Sequence, residues 1–336
     1  MATKKVHCST QKINDNRLTA LLNCLGNWFG RSSFTLPIGR VPEKIKNPIN
    51  LKDKVVLVTG GSRGIGKAIC EQFSAVGARV IGTSRFVQKE ITQQNGYELI
   101  SLDVRNDDSV NRCIEQVVNK YGRIDILVNN AGIGQYGRLI KATIDDWLAL
   151  FQTNLFGVHR MTVAAYPHMH GAETRIITIG SLDGEIGYPY QAIYSISKRA
   201  LQQWNDLFAF EQRKEHGPQF VLLEPAFVNT GFGKTPDIVN TEPDSSDIYV
   251  RLNELSFPWM LQNYGIAPSE VGEAVFNIAS MKKPALRYFV GVKGSLFLGT
   301  SLEDILTMVY TKPPRDVQVF MRRFAKLMYI RFRMQL

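Results

Sequence analysis

The 336-residue chain is 44% hydrophobic and 21% charged, which supplies a sizeable core and excludes a disordered protein. No apolar run reaches the roughly 18 residues needed to span a bilayer. Its four cysteines (Cys8, Cys24, Cys70, Cys113) have neither disulfide-framework nor metal spacing, pointing to a reducing, cytoplasmic setting.

The net charge of +10 sits at the two ends. Lys4, Lys5, Lys12, Arg17, Arg31 and Arg40 oppose only Asp15, and Lys312, Arg315, Arg322, Arg323, Lys326, Arg331 and Arg333 oppose only Asp316. The excess therefore concerns partners of the termini, not the fold. Residues 1–50 read as an extension and linker. Leu18, Leu21, Leu22, Leu25, Trp28 and Phe29 recur at helical spacing, predicting a short amphipathic helix over 17–30, and Pro37, Pro42 and Pro48 follow it. The acid-poor start also allows a transit peptide, although it is poor in arginine.

From Lys54 strand and helix patterns alternate. Strands are predicted at 55–58, 79–83, 98–102, 124–128, 174–179, 219–223 and 287–291, with helices at about 65–76, 107–121, 144–167, 191–214 and 268–280. Near-continuous apolar strands separated by helices predict an α/β doubly wound parallel sheet in one domain over 51–295. Ligands in such a fold sit beyond the carboxyl ends of the strands. An insertion at about 231–262, with Pro236, Pro243 and Pro258, is expected over the substrate side, and residues 296–336 form a C-terminal extension.

The first predicted strand runs into Thr59-Gly60-Gly61-Ser62-Arg63-Gly64-Ile65-Gly66 and then into a helix. Strand, glycine turn and helix make a dinucleotide cradle: glycines let the backbone approach a pyrophosphate, and the helix N-terminus offers unpaired N–H groups. Gly60, Ser62, Arg63, Gly64, Ile65 and Gly66 are the expected contacts. The second strand ends in Ser84-Arg85, without the carboxylate that accepts from ribose hydroxyls. Arg85 and Arg63 would instead pair with a 2′-phosphate, predicting NADP(H); the alternative is a solvated Arg85 and a locally paired Arg63.

Tyr194 and Lys198 lie four apart and share a helix face, where an ammonium is expected to lower the phenol's pKa. His168 and His170, at i and i+2, do not face one side of a helix, and no metal site is expected; His159 and His216 have no partner visible in sequence.

From about Leu51 to Val292 the chain resembles the short-chain dehydrogenase/reductase family, in the Rossmann fold. The resemblance rests on the glycine turn, Asp103-Val104, Asn129-Asn130-Ala131-Gly132, Asn154, Ser181, Tyr194 with Lys198, and Pro225 through Thr230. It implies adenine contacts from Asp103 and Val104, for which a turn or N-cap role is the alternative. Asn130 and Gly132 would pass the adenine ribose, and Pro225, Val228 and Thr230 the nicotinamide carboxamide. Ala226 stands where the family usually has glycine.

Tyr194 would be the general acid/base and Lys198 would hold the nicotinamide ribose. Ser181 would polarise a carbonyl, and Asn154, at the start of a long helix, would hold a water serving the lysine. Leu182, Tyr188, Tyr190, Gln191, Phe227 and Phe232 are expected to line an apolar substrate pocket. The implied activity is NADP(H)-dependent interconversion of a hydrophobic alcohol and a ketone or aldehyde, nearest to steroid- and retinoid-type members. The rivals are a 3-oxoacyl-thioester reductase and a non-catalytic NADPH sensor. A homo-oligomer through the helices carrying Asn154 and Tyr194 is implied, and no nucleic-acid partner. Residues 317–336 form a basic amphipathic pattern that suits an anionic membrane surface, the core or a second subunit equally.

Overall fold

The computed structural model describes residues 38–87, 92–187, 190–212, 217–230, 232, 238–240 and 265–291. The helix expected over 17–30, Tyr188, His216, most of the 231–262 insertion and the basic stretch 317–336 lie outside them.

In chain order the elements are β1 (Ile38–Arg40), β2 (Val55–Val58), α1 (Gly64–Ser74), β3 (Arg79–Ser84), β4 (Thr92–Gln94), β5 (Tyr97–Ser101) and α2 (Asp107–Tyr121). Next come β6 (Ile126–Asn129), β7 (Gly134–Tyr136), α3 (Ile144–Phe151), a π-helical turn (Gln152–Phe156), α4 (Gly157–Ala165), β8 (Arg175–Ile179) and α5 (Asp183–Ile186). The chain continues through α6 (Ala192–Glu211), β9 (Gln219–Pro225), β10 (Ile238–Asn240), α7 (Pro268–Ser280) and β11 (Arg287–Val290).

The main sheet has the order β1-β11-β9-β8-β6-β2-β3-β5-β4, parallel throughout except for β4 against β5. All seven predicted strands are in it. β1 and β4 extend the edges, and β7 pairs with β10 in a separate two-stranded sheet. The chain winds outward from β2 through β3 to β5, then returns to β6 on the other side. That reversal is the switch point where such sheets bind ligands.

Period-two alternation in β2 explains why both faces are covered. Val56 and Val58 join one core with Ile69, Cys70 and Phe73 of α1 and Val271, Val275 and Ile278 of α7. Val55 and Leu57 join the other with Val110, Ile114 and Val117 of α2 and Met161 of α4. Gly272 lets α7 cross α1 closely, since a Cβ there would lie 2.9 Å from the Ala68 carbonyl oxygen. α2 starts from Asn106, whose side chain accepts from the Ser109 N–H, with Asp107 and Asp108 in its first turn, and ends at Gly122 with φ 73°. The predicted 144–167 helix is interrupted: α3 and α4 are joined through the π-helical turn.

Candidate active site

At Gly61 and Gly66 the glycine turn has no room for a side chain. A Cβ on Gly66 would lie 2.1 Å from the Gly60 carbonyl oxygen and 2.5 Å from Asn130 Nδ2, and one on Gly61 would lie 2.6 Å from the Gly82 Cα. Gly60 has φ 68° and Gly64 φ 54°, a region that favours glycine. Asn130 ties this turn to the end of β6: its Nδ2 donates to the carbonyls of Thr59 at 2.9 Å and Gly60 at 3.2 Å. Thr59 Oγ1 accepts in return from the Asn130 and Ala131 N–H groups, both at 2.9 Å. α1 then starts at Gly64, its N-cap Arg63 giving no side-chain cap and its first turn no acid, so its N-terminal N–H groups remain for an anion.

Ser181 follows β8, while Tyr194 and Lys198 project from α6. Lys198 Nζ donates to the Ile179 carbonyl at 2.9 Å and sits 5.7 Å from the centre of the Tyr194 ring. Asn154 is 1% exposed and lies within the π-helical turn rather than at a helix start, a correction to the sequence reading. Its Oδ1 accepts from the Ile133 N–H at 2.9 Å, and its Nδ2 donates to the Ile133 carbonyl and to Ser197 Oγ, each at 3.0 Å. A Cβ built on Gly132 would lie 3.3 Å from Asn154 Oδ1 and 3.8 Å from Lys198 Nζ, which puts both beside that glycine. Asn154 thus fixes the chain after β6 and grips α6.

The electrostatics differ from expectation in one respect. Burial pushes the Tyr194 phenol above its ordinary value, Asp183 adds to the rise, and the Ser181 hydroxyl bonded to it works in the opposite direction. The Lys198 ammonium four residues away is expected to lower the phenol, but burial reverses the direction. Burial lowers Lys198 to about 8 against the pull of Asp183 and Glu224, and raises Asp183 to about 6 against the pull of Lys198.

One cavity of about 430 Å³ gathers nearly all of the expected residues. Gly60, Ser62, Arg63, Gly64, Ile65, Gly66, Arg85, Asp103, Val104, Asn130, Gly132, Ser181, Tyr194, Lys198, Pro225, Val228 and Thr230 all line it. Asn154 lies behind the wall and acts on it through Ile133 and Gly132. The Asp103 carboxylate is held by Arg105, with Nε at 2.9 and 3.1 Å and Nη2 at 2.6 Å, and Arg105 holds it below the usual carboxylate range.

Leu182, Gln191, Phe227 and Phe232 line the cavity as expected, and the Phe232 and Tyr194 rings are 6.0 Å apart. Tyr190 instead packs on Tyr136 at 6.4 Å with φ 65°. His159, whose partner was not visible in the sequence, accepts from Trp204 Nε1 at 3.4 Å.

The sequence pattern of the short chain dehydrogenases matches residues 54–237, more than half of the chain. The chain is a short-chain dehydrogenase/reductase. It is 34% identical over 245 residues to a 3-ketodihydrosphingosine reductase of Bacteroides thetaiotaomicron, covering 72% of this chain and 89% of that one. It is 36% identical over 197 residues to the 3-oxoacyl-[acyl-carrier-protein] reductase FabG of Escherichia coli, covering 54% and 76%. Among solved structures, a short-chain dehydrogenase from Streptomyces avermitilis superimposes with a TM-score of 0.64 at 28% identity, covering 78% and 96%.

The short-chain dehydrogenases/reductases bind NAD or NADP. The residues present here fit such a group: a glycine cradle that a Cβ would fill, an uncapped helix N-terminus, and a lining that continues past Arg85 and Asp103 at one end and Tyr194 at the other. This short-chain dehydrogenase/reductase also carries one site residue that sequence reasoning missed. Asp183 lines the cavity two residues after Ser181; with Glu185 two residues further on, the sequence alone did not single it out.

Among the described residues, no helix is long and apolar enough to cross a membrane.

Proposed function

We propose that the chain is an NADP(H)-dependent oxidoreductase that interconverts a hydrophobic alcohol and the corresponding ketone or aldehyde. The observation that carries this reading is that Ser181, Tyr194 and Lys198 line one cavity with the glycine turn. When bound, the nicotinamide supplies or accepts a hydride at the carbonyl carbon. Tyr194 gives the proton that the developing alkoxide takes, or removes it in the reverse direction. Ser181 donates a hydrogen bond to the same oxygen, which stabilises charge as it builds. Lys198, pinned to Ile179, holds the nicotinamide ribose, and Asn154 fixes the segment behind it.

NADP(H) is favoured over NAD(H) by Arg63 and Arg85 in the lining and by the absence of a carboxylate at the end of β3. Adenine contacts fall to Asp103 and Val104, and carboxamide contacts to Pro225, Val228 and Thr230. An apolar substrate is favoured by Leu182, Phe227 and Phe232. Likeness to the 3-ketodihydrosphingosine reductase supports a lipid-derived ketone, and likeness to FabG supports the rival 3-oxoacyl thioester. In this reading the catalytic domain spans 51–295; contact with anionic lipid is one role for the basic stretch 317–336, and packing on the core or a second subunit is the other. Sedimentation of full-length and tail-deleted protein with anionic liposomes tests that contact, equal sedimentation counting against it.

NADPH oxidation against a panel of long-chain ketones and 3-oxoacyl thioesters tests the function. Turnover confined to ketones supports it and turnover confined to thioesters favours the rival. Tight NADPH binding with no turnover of either would make the protein a sensor.

A further inference from the structure

Three successive carbonyls of the glycine turn are tied down, and the third by a residue outside every motif. Asn130 Nδ2 takes the carbonyls of Thr59 and Gly60. The next carbonyl, that of Gly61, accepts from the Tyr97 hydroxyl at 2.9 Å. Tyr97 opens β5, which is separated from β2 by β3 in the sheet. Its side chain is 1% exposed and packs in one core with Cys70 and Phe73 of α1.

To reach the turn, the phenol has to pass β3. Gly82, inside that strand, leaves the space: a Cβ there would lie 3.2 Å from Tyr97 Cε2, 3.1 Å from Cys70 Sγ and 2.9 Å from Leu99 Cδ2. Glycine inside a strand weakens it and often marks such a close approach. β3 also holds the turn directly, since the Gly61 N–H donates to the Thr83 carbonyl at 2.8 Å and the Gly60 N–H to Thr83 Oγ1 at 3.2 Å. Burial pushes the Tyr97 phenol above its ordinary value, so it stays a donor at neutral pH.

Pinning the Gly61 carbonyl fixes what lies on the other side of the same peptide. In a trans peptide the C=O and the following N–H point in opposite directions. The carbonyl is drawn towards the core, so the Ser62 N–H is turned away from it. Ser62 lines the cavity.

We propose that Tyr97 is a positioning residue for the cofactor: by holding the Gly61 carbonyl it presents the Ser62 N–H to the pyrophosphate of NADPH or NADH. The inference rests on the cofactor-binding part of the reading above and leaves the substrate and the 2′-phosphate out of account. Tyr97 acts through the backbone of the turn, and its loss is felt in cofactor affinity.

The test is fluorescence titration of NADPH and of NADH against the full-length protein and two variants, with thermal unfolding of all three. Tyr97→Phe keeps the ring and removes the donor. Tyr288→Phe is the matched control, a 3% exposed tyrosine of β11 whose hydroxyl accepts from the Ala285 N–H at 2.7 Å. Tyr97→Phe is expected to raise the Kd of NADPH and of NADH by the same factor, about fivefold or more. Tyr288→Phe is expected to lower the melting temperature and leave both affinities unchanged. An unchanged Kd in Tyr97→Phe, or equal weakening in the two variants, would overturn the proposal and make the hydroxyl a packing group. Weakening towards NADPH alone would overturn it too, because NADH carries the same pyrophosphate. In the wild-type protein, saturating NADPH is expected to slow hydrogen exchange at the Ser62 amide, and an unaltered rate counts against the proposal. Binding of neither cofactor by the wild-type protein overturns the cofactor reading itself.

Discussion

The ammonium of Lys198 donates to the carbonyl of Ile179 at 2.9 Å, so the helix that carries Tyr194 is pinned to the strand that ends just before Ser181. Tyr194 and Lys198 are thereby tied to the segment that carries Ser181. Moving either element by an ångström would separate groups whose value depends on their common geometry.

With Lys198 proposed to hold the nicotinamide ribose, cofactor affinity is expected to depend on pH. Burial brings Lys198 from 10.5 down to about 8, so it is charged below that value and neutral above it. NADPH affinity is expected to fall as pH rises from about 7 to about 9, and Lys198→Met is expected to bind more weakly with a flat profile. Fluorescence titration of NADPH across that range checks both.

Gly66→Ala places a methyl 2.1 Å from the Gly60 carbonyl oxygen, where backbone must move. The expected cost is about 1–3 kcal/mol of stability, together with loss of NADPH binding. Thermal unfolding and NADPH titration read the two effects separately.

The cofactor preference is assigned to Arg63 and Arg85, both in the lining. Arg85→Asp removes a cation and adds a charge that repels a 2′-phosphate. The ratio of kcat/KM for NADPH over NADH is expected to fall by about 10- to 100-fold, and an unchanged ratio would remove Arg85 from the site.

Behind the site, Glu224 is fully buried; its Oε1 accepts from Gln202, while its Oε2 has no hydrogen-bond partner among the described residues. Burial raises its carboxyl to about 8 from 4.5. A group raised in the folded state contributes stability below its unfolded pKa and loses it as pH climbs through the folded value. The wild-type protein is therefore expected to lose stability between about pH 4.5 and pH 8 relative to Glu224→Gln. Melting temperatures of both proteins measured in parallel across that window check the difference.

Much of this was legible in the sequence because the relevant signals are local. Val55–Val58 and the other six long strands announce themselves by continuous apolar runs, and the glycine turn and the Tyr194/Lys198 pair by fixed spacing. The three-residue strands β1, β4, β7 and β10 carry no such pattern, since their existence depends on a partner brought from far along the chain. The same reason hides the π-helical turn. Asn154 sits in what reads as unbroken helix, and only its bonds to Ile133 and Ser197 expose the change. Spacing places Lys198 near Tyr194, but it does not report how deeply both are buried, and burial decides the direction of the phenol's shift. Asp103 could be matched to a motif, while Arg105, which takes up its carboxylate, could not be weighed without geometry.

In the proposed reaction Tyr194 supplies the proton at the reacting oxygen. Its most direct test is the steady-state rate of Tyr194→Phe with NADPH and the best ketone of the panel, beside NADPH titration of the same variant. The prediction is a fall in kcat of about 10²- to 10⁴-fold with NADPH still bound; a variant that keeps the wild-type rate would contradict it.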